Sequence, residues 1–167
     1  MKFYISVVRG TPLMLQLLLW YFGPYYLWGM NIGGYKFTAI ILGCSLNYAA
    51  YFAEIFRGGI QSIPKGQYEG AKVLGFTYRQ TMWHIVLPQV VKRVIPPLGN
   101  ETITLLKDTS LVYILAMNDL MRVTRAFVQR DFDTMPFLVA AVFYLVCTAI
   151  LTKILTYVEK RYAVYEE

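Results

Sequence analysis

Histidine, cysteine and charge are all scarce in this chain, and each scarcity removes a class of function. The single histidine, His84, has no metal-ligating partner at helical spacing and reads as a packing or surface residue. The two cysteines, Cys44 and Cys147, lie inside apolar runs with neither CxxC spacing nor a secreted framework, so they read as small buried hydrophobes. Neither a GxxxxGK loop nor a GxGxxG turn occurs, so the chain cannot by itself cradle a nucleotide. A nucleophile paired with a base is represented by Ser110 beside Lys107 alone, which is weak support for an enzyme. Charged residues make up 16% of the chain against 57% hydrophobic, well to the apolar side of a soluble protein. The net charge of +6 does not point to nucleic acid, because the basic residues sit beside apolar runs rather than along one stripe. Lys2 and Arg9 before an apolar run superficially resemble a signal peptide, but no small-residue cleavage site follows. Internal repeats and low-complexity runs are absent as well.

What is present is a series of membrane-length apolar runs. Residues 11–34 carry no charge, and residues 13–28 predict a first crossing that starts near Pro12, with Pro24 breaking its last turn. Tyr21, Tyr25, Tyr26 and Trp28 cluster at its end, where amphipathic rings suit the headgroup level. A tight turn over residues 31–36 leads to a second crossing, 37–56, whose Gly43, Ser45, Ala49, Ala50 and Ala53 allow close helix approach in lipid. Glu54 and Arg57 share a helix face at its end and are placed to pair. A third segment spans 94–117, a polar loop 119–134, a fourth crossing 135–157 and a charged tail 159–167. The fold class expected is therefore all-α, a polytopic membrane helical bundle of about four crossings in a single domain over 1–167. If the polar stretch of about 61–90 faces the cytoplasm, eleven of the sixteen Lys and Arg residues lie on that side, which places both termini there too.

That polar stretch holds the most specific signal. Ser62 and Pro64 predict a helix start, Gly75 a left-handed stop, and Thr77 with Gln80 a capping box opening a second short helix that Pro88 ends. Glu69 is expected near the positive end of the first short helix, and Gly70 and Ala71 leave a thin surface that another backbone could approach. The spacing Glu69, Ala71, Gly75, Ile85, Leu87, Pro88 resembles the EAA loop, E-A-A-x3-G-x9-I-x-L-P, with Gly70 in place of the first alanine. Permeases of ABC importers engage their ATPase through that loop. Arg9-Gly10-Thr11-Pro12-Leu13, the run LNYAAYFAEIFRGGI at 46–60, PLGNET at 97–102 and KDTSL at 107–111 are in turn similar to blocks of the polar-amino-acid permease subfamily.

The resemblance implies a type I-like permease core of five helices, paired with a second permease subunit, identical or different. It also implies cytoplasmic ABC ATPase subunits and an extracytoplasmic binding protein that delivers an amino acid, with surrounding lipid and no cofactor. Members usually carry a further membrane helix before the block at Arg9, so Met1 marks a fragment or misplaced start, or another part of the complex covers that surface. Motion of the partner ATPases would pass through the short helix at 67–74 to the crossings beside it. The rival reading is a non-transporting scaffold or regulatory subunit that keeps the docking loop.

Ionisable groups in the third segment point to function, because they are costly in a membrane helix. Glu101, Thr104 and Asp108 fall at i, i+3 and i+7, and Asn100, Thr104 and Lys107 at i, i+4 and i+7, so polar groups occupy adjacent stripes. A zwitterionic amino acid needs an anion for its ammonium and a cation for its carboxylate, and this wall offers both. The same Glu101, Lys107 and Asp108 would equally serve to satisfy one another or a second subunit and hold helices together.

Overall fold

The computed structural model describes residues 2–162, which are helical apart from short connections. The order is α1 (Lys2–Arg9), α2 (Leu13–Trp28), α3 (Lys36–Gln61), α4 (Lys65–Val73), α5 (Tyr78–Thr81), a π-helical turn (Met82–Val86), α6 (Leu87–Asp108), a 3-10 turn (Thr109–Leu115), α7 (Leu120–Asp131) and α8 (Met135–Tyr162). Among the described residues no strand occurs. α6 packs between α3 and α8, α2 covers α3, and α7 leans on α8. α3 and α8 are each long and apolar enough to cross a bilayer, and α1 with α2 makes a third candidate as a pair bent by 105°. α6, at 22 residues, is about 33 Å long at 1.5 Å per residue. Its polar stripes keep it below the apolarity of the others.

Pro12, in extended conformation, turns the chain between α1 and α2. The corner is clamped by an amide pair of half-buried Gln16 and buried Asn47: Gln16 Nε2 donates to Val8 O at 2.8 Å, and Asn47 Nδ2 on α3 donates to Gln16 Oε1 at 3.1 Å. Contrary to the sequence expectation, Pro24 does not break α2. So near the helix end the missing N–H forfeits a single bond, and the helix runs to Gly29, whose left-handed φ of 63° ends it. α3 matches the expected crossing and continues to Gln61. Its small residues do what lipid packing asks of them: a Cβ on Gly43 would lie 2.9 Å from Leu17 Cδ2, and one on Gly59 would collide with Val94 Cγ1 of α6.

Two further expectations need revision. The stretch 119–134 is not a loop. Asp119 accepts from the N–H groups of Met121 and Arg122, capping α7, and Phe132 ends that helix in a left-handed conformation. α8 extends five residues past the expected 157 to Tyr162, so Glu159 is helical and packs against Gly99 of α6. Residues 163–167 of the charged tail lie outside the described residues.

Candidate functional site

Residues 62–88 form a platform at one end of the bundle. Ser62 does not cap α4 as predicted. Its hydroxyl donates to Gly59 O at 2.7 Å, closing α3, and Pro64 occupies the cap position of α4. Gly75 stops the helix as expected: at φ 78° its N–H reaches Lys72 O at 3.0 Å while Phe76 N–H reaches Ala71 O at 3.0 Å, the paired bonds of a Schellman end. The Thr77 and Gln80 capping box is formed. Glu69, however, sits in the middle of α4 and outside its first turn, so the helix dipole does little for it.

Within the platform Glu69 and Gly70 face outward, and a Cβ on Gly70 would meet nothing. Ala71 is buried at 2% exposure, so the thin surface expected from Gly70 and Ala71 together is half used for internal packing. Ile85 and Leu87 are half-buried, and Pro88 is exposed. What roots the platform is a cluster of Ile63, Val86, Val90 and Val94, with Tyr68 and Met82 packed against it. Val86, which the motif leaves unspecified, is fully buried. Arg93 adds a polar tie, donating to Ser62 O and, at 3.0 Å, to Ser62 Oγ. Outward, Val73, Leu74, Tyr78 and Trp83 are 70–88% exposed, an apolar rim that no motif in the sequence marks. His84 is exposed and bonds its own helix at Gln80 O.

Pro88 does not end the second short helix. The turn Met82–Val86 widens to i→i+5 bonding, with Leu87 N–H reaching Met82 O. A wide turn there accommodates a proline that lacks the N–H an ordinary turn would use. Helical backbone therefore runs without interruption from Tyr78 to Asp108.

At the far part of that continuous element lies a cleft of about 500 Å³, walled by α6, α3 and the corner after α1. Glu101, Thr104 and Asp108 line it, so the i, i+3, i+7 stripe is brought together. Asp108 Oδ2 accepts from the hydroxyl of buried Tyr48 at 2.8 Å. Among the described residues Glu101 has no hydrogen-bond or ion-pair partner. Asn100 lies beside Glu101 in an adjoining space of about 350 Å³. Lys107 lines neither space, because six residues beyond Glu101 the helix has turned well away from that stripe. The cation that lines both is Arg9, which the sequence marks only as part of a motif. Arg9 Nη1 is 3.8 Å from Glu54 Oε1, and its guanidinium carbon is 5.2 Å from the centre of the Tyr51 ring. The predicted Glu54–Arg57 pair is formed, with Arg57 Nε donating to Glu54 Oε2 at 2.9 Å and Arg57 Nη1 to Gln61 Oε1 at 2.8 Å.

A membrane helical bundle with a platform at one end, and a charged cleft along the helix rising from it, defines a membrane subunit built to be driven by another protein. Residues 1–164 match the family model described as binding-protein-dependent transport system inner membrane component, and the chain belongs to that family. Over 98% of its length it is 41% identical to the probable amino-acid ABC transporter permease protein YckA of Bacillus subtilis, covering 72% of that protein. Over 95% it is 41% identical to the arginine transport system permease protein ArtQ of the same organism, again covering 72%. A solved structure described as "Crystal structure of an amino acid ABC transporter with histidines" superposes with TM-score 0.86 at 39% identity, over 96% of this chain and 74% of that one. The chain is thus a membrane component of an ABC importer and not a catalyst. ATP hydrolysis belongs to a partner ATPase, and a substrate-binding protein is the other partner that the family implies.

Proposed function

We propose that this permease subunit carries polar amino acids, with Glu101, Thr104, Asp108 and Asn100 lining the passage and the 62–88 platform seated on an ATPase. The observation that carries this is the uninterrupted helix from Tyr78 to Asp108, which joins the platform to the carboxylate stripe. At 1.5 Å per residue that element is roughly 45 Å long, and it passes through the π turn and the interior prolines Pro96 and Pro97, so a displacement of the platform is carried by one helix to the level of the stripe. Glu69 and Gly70 offer the outward face of α4, and Gly75 the turn that sets its angle to α5. The platform and both termini face the cytoplasm, and a second permease subunit, identical or different, supplies the opposite wall of the passage. The names of the relatives, amino-acid and arginine permeases, support this substrate class.

The test is reconstitution of the permease with its ATPase subunits and binding protein in vesicles, followed by uptake of labelled amino acids. Glu101→Gln is expected to weaken substrate binding by about tenfold or more while the complex still purifies, since a charge-assisted contact is lost. Loss of the complex with unchanged affinity would assign Glu101 to assembly and overturn the passage.

A further inference from the structure

Arg9 stands where two charge systems meet. On one side is Glu54, which Arg57 already holds through both of its oxygens. On the other is the cleft, where Glu101 and Asp108 face inward and Arg9 is the guanidinium among the lining residues. At 3.8 Å the Arg9–Glu54 contact is far looser than a direct charge-assisted bond of about 2.7–2.9 Å. Arg9 also lies over the face of Tyr51, a contact that leaves the edge of the guanidinium free to meet a carboxylate. Arg9 is therefore loosely held by Glu54 on one side and already faces the cleft on the other.

We propose that Arg9 recognises the α-carboxylate of the transported amino acid and that Glu54 is its resting partner. This rests on the reading of the cleft as the passage. An ammonium drawn to Glu101 and Asp108 places a carboxylate within the same cleft, and that carboxylate offers Arg9 the bidentate geometry that Glu54, already forked to Arg57, does not. The exchange detaches the corner after α1 from the end of α3. Beyond Glu54 the contacts continue through Arg57 to Gln61, the last residue of α3, and the next residue, Ser62, is held by Arg93 of α6. Occupation of the cleft is thereby communicated to the root of the platform.

The permease assembled with its ATPase subunits is assayed for binding of two pairs that differ only in the α-carboxylate: L-arginine with agmatine, and L-glutamine with 4-aminobutanamide. The pair whose amino acid binds is followed in the variants. Arg9→Met is expected to bind that amino acid at least about tenfold more weakly while binding of its amine is unchanged, so that the preference for the carboxylate disappears. Arg9→Gln gives the same reading if Arg9→Met does not assemble. Glu54→Gln is expected to keep the preference and to raise substrate-independent ATP hydrolysis severalfold, because the resting tie is gone. An Arg9 variant that retains the preference overturns the assignment even if Glu101→Gln abolishes binding. Full binding of both compounds by Glu101→Gln would instead overturn the passage itself.

Discussion

At the scale of single residues, backbone conformation and close approach decide more than side-chain chemistry. Gly75 holds φ at 78°, which costs an ordinary residue about 1–2 kcal/mol and a β-branched one more. Replacement by asparagine, alanine and valine should therefore damage coupling in that rising order. Gly75→Val is expected to leave a complex that hydrolyses ATP without moving substrate, measured as uptake per ATP in vesicles, and unchanged transport would contradict the assignment. Gly59 tests packing instead of conformation. A methyl there runs into Val94 Cγ1, so Gly59→Ala should lower thermal stability by roughly 1–3 kcal/mol. Val94→Ala in the same chain should restore part of it, and a strictly additive loss would show that the two helices do not meet at that point. Of the platform, the helix stop at Gly75 and the Thr77–Gln80 capping box were legible because their signals are short-range. Arg9 was not, since its ion-pair partner Glu54 and the Glu101 that shares its cleft are 45 and 92 positions away in the sequence and only the fold assembles them. Lys107 lies close to Asp108 in sequence yet lines neither space, because neighbours on a helix do not share a face.

At the scale of elements, the π turn Met82–Val86 is the joint on which the platform is set. One extra residue in a helical turn offsets α4 and α5 by about 100° around the axis of α6. Deleting the exposed His84 should convert the joint to an ordinary turn and swing α4 and α5 away from their present bearing on α6. It would also leave Pro88 facing a carbonyl it cannot pair with. The expected outcome is loss of ATPase attachment, seen as disappearance of a disulfide cross-link between a cysteine at Gly70 and cysteines placed on the ATPase. The binding-protein side of the molecule would be unaffected. This joint also shows where sequence reading stops. A proline announces a missing hydrogen bond, but whether the chain ends there or widens one turn to absorb it depends on burial of Val86 and Val90 beneath it. α7 was missed on similar grounds: it is polar, 12 residues long and capped by an aspartate that also suits a turn.

At the scale of the whole molecule, the arrangement of ends fixes what each side of the membrane can touch. The end of α3 and the start of α6 meet at the platform, while Lys36 at the start of α3 reaches Ala116 O beyond the end of α6 at 3.4 Å, marking the opposite pole. Arg122 and Arg125 of α7 belong to that second pole, near Tyr113. The platform pole carries Lys65, Lys72, Arg79, Lys92 and Arg93 within a short stretch, and an excess of basic residues in short loops marks the cytoplasmic side. Cysteines at Gly70 and Trp83 should therefore be labelled in cells only after a thiol reagent is allowed through the membrane, and cysteines at Asn118 and Phe132 by an impermeant one. The measurement is made in a chain with Cys44 and Cys147 replaced by alanine, since both are partly exposed and would otherwise contribute. All four positions are exposed, so absence of labelling cannot be ascribed to burial within the chain. Labelling of the platform positions by the impermeant reagent would place the loop where no ATP-hydrolysing partner can reach it. The long helix from Tyr78 to Asp108 would then have nothing at its base to drive it.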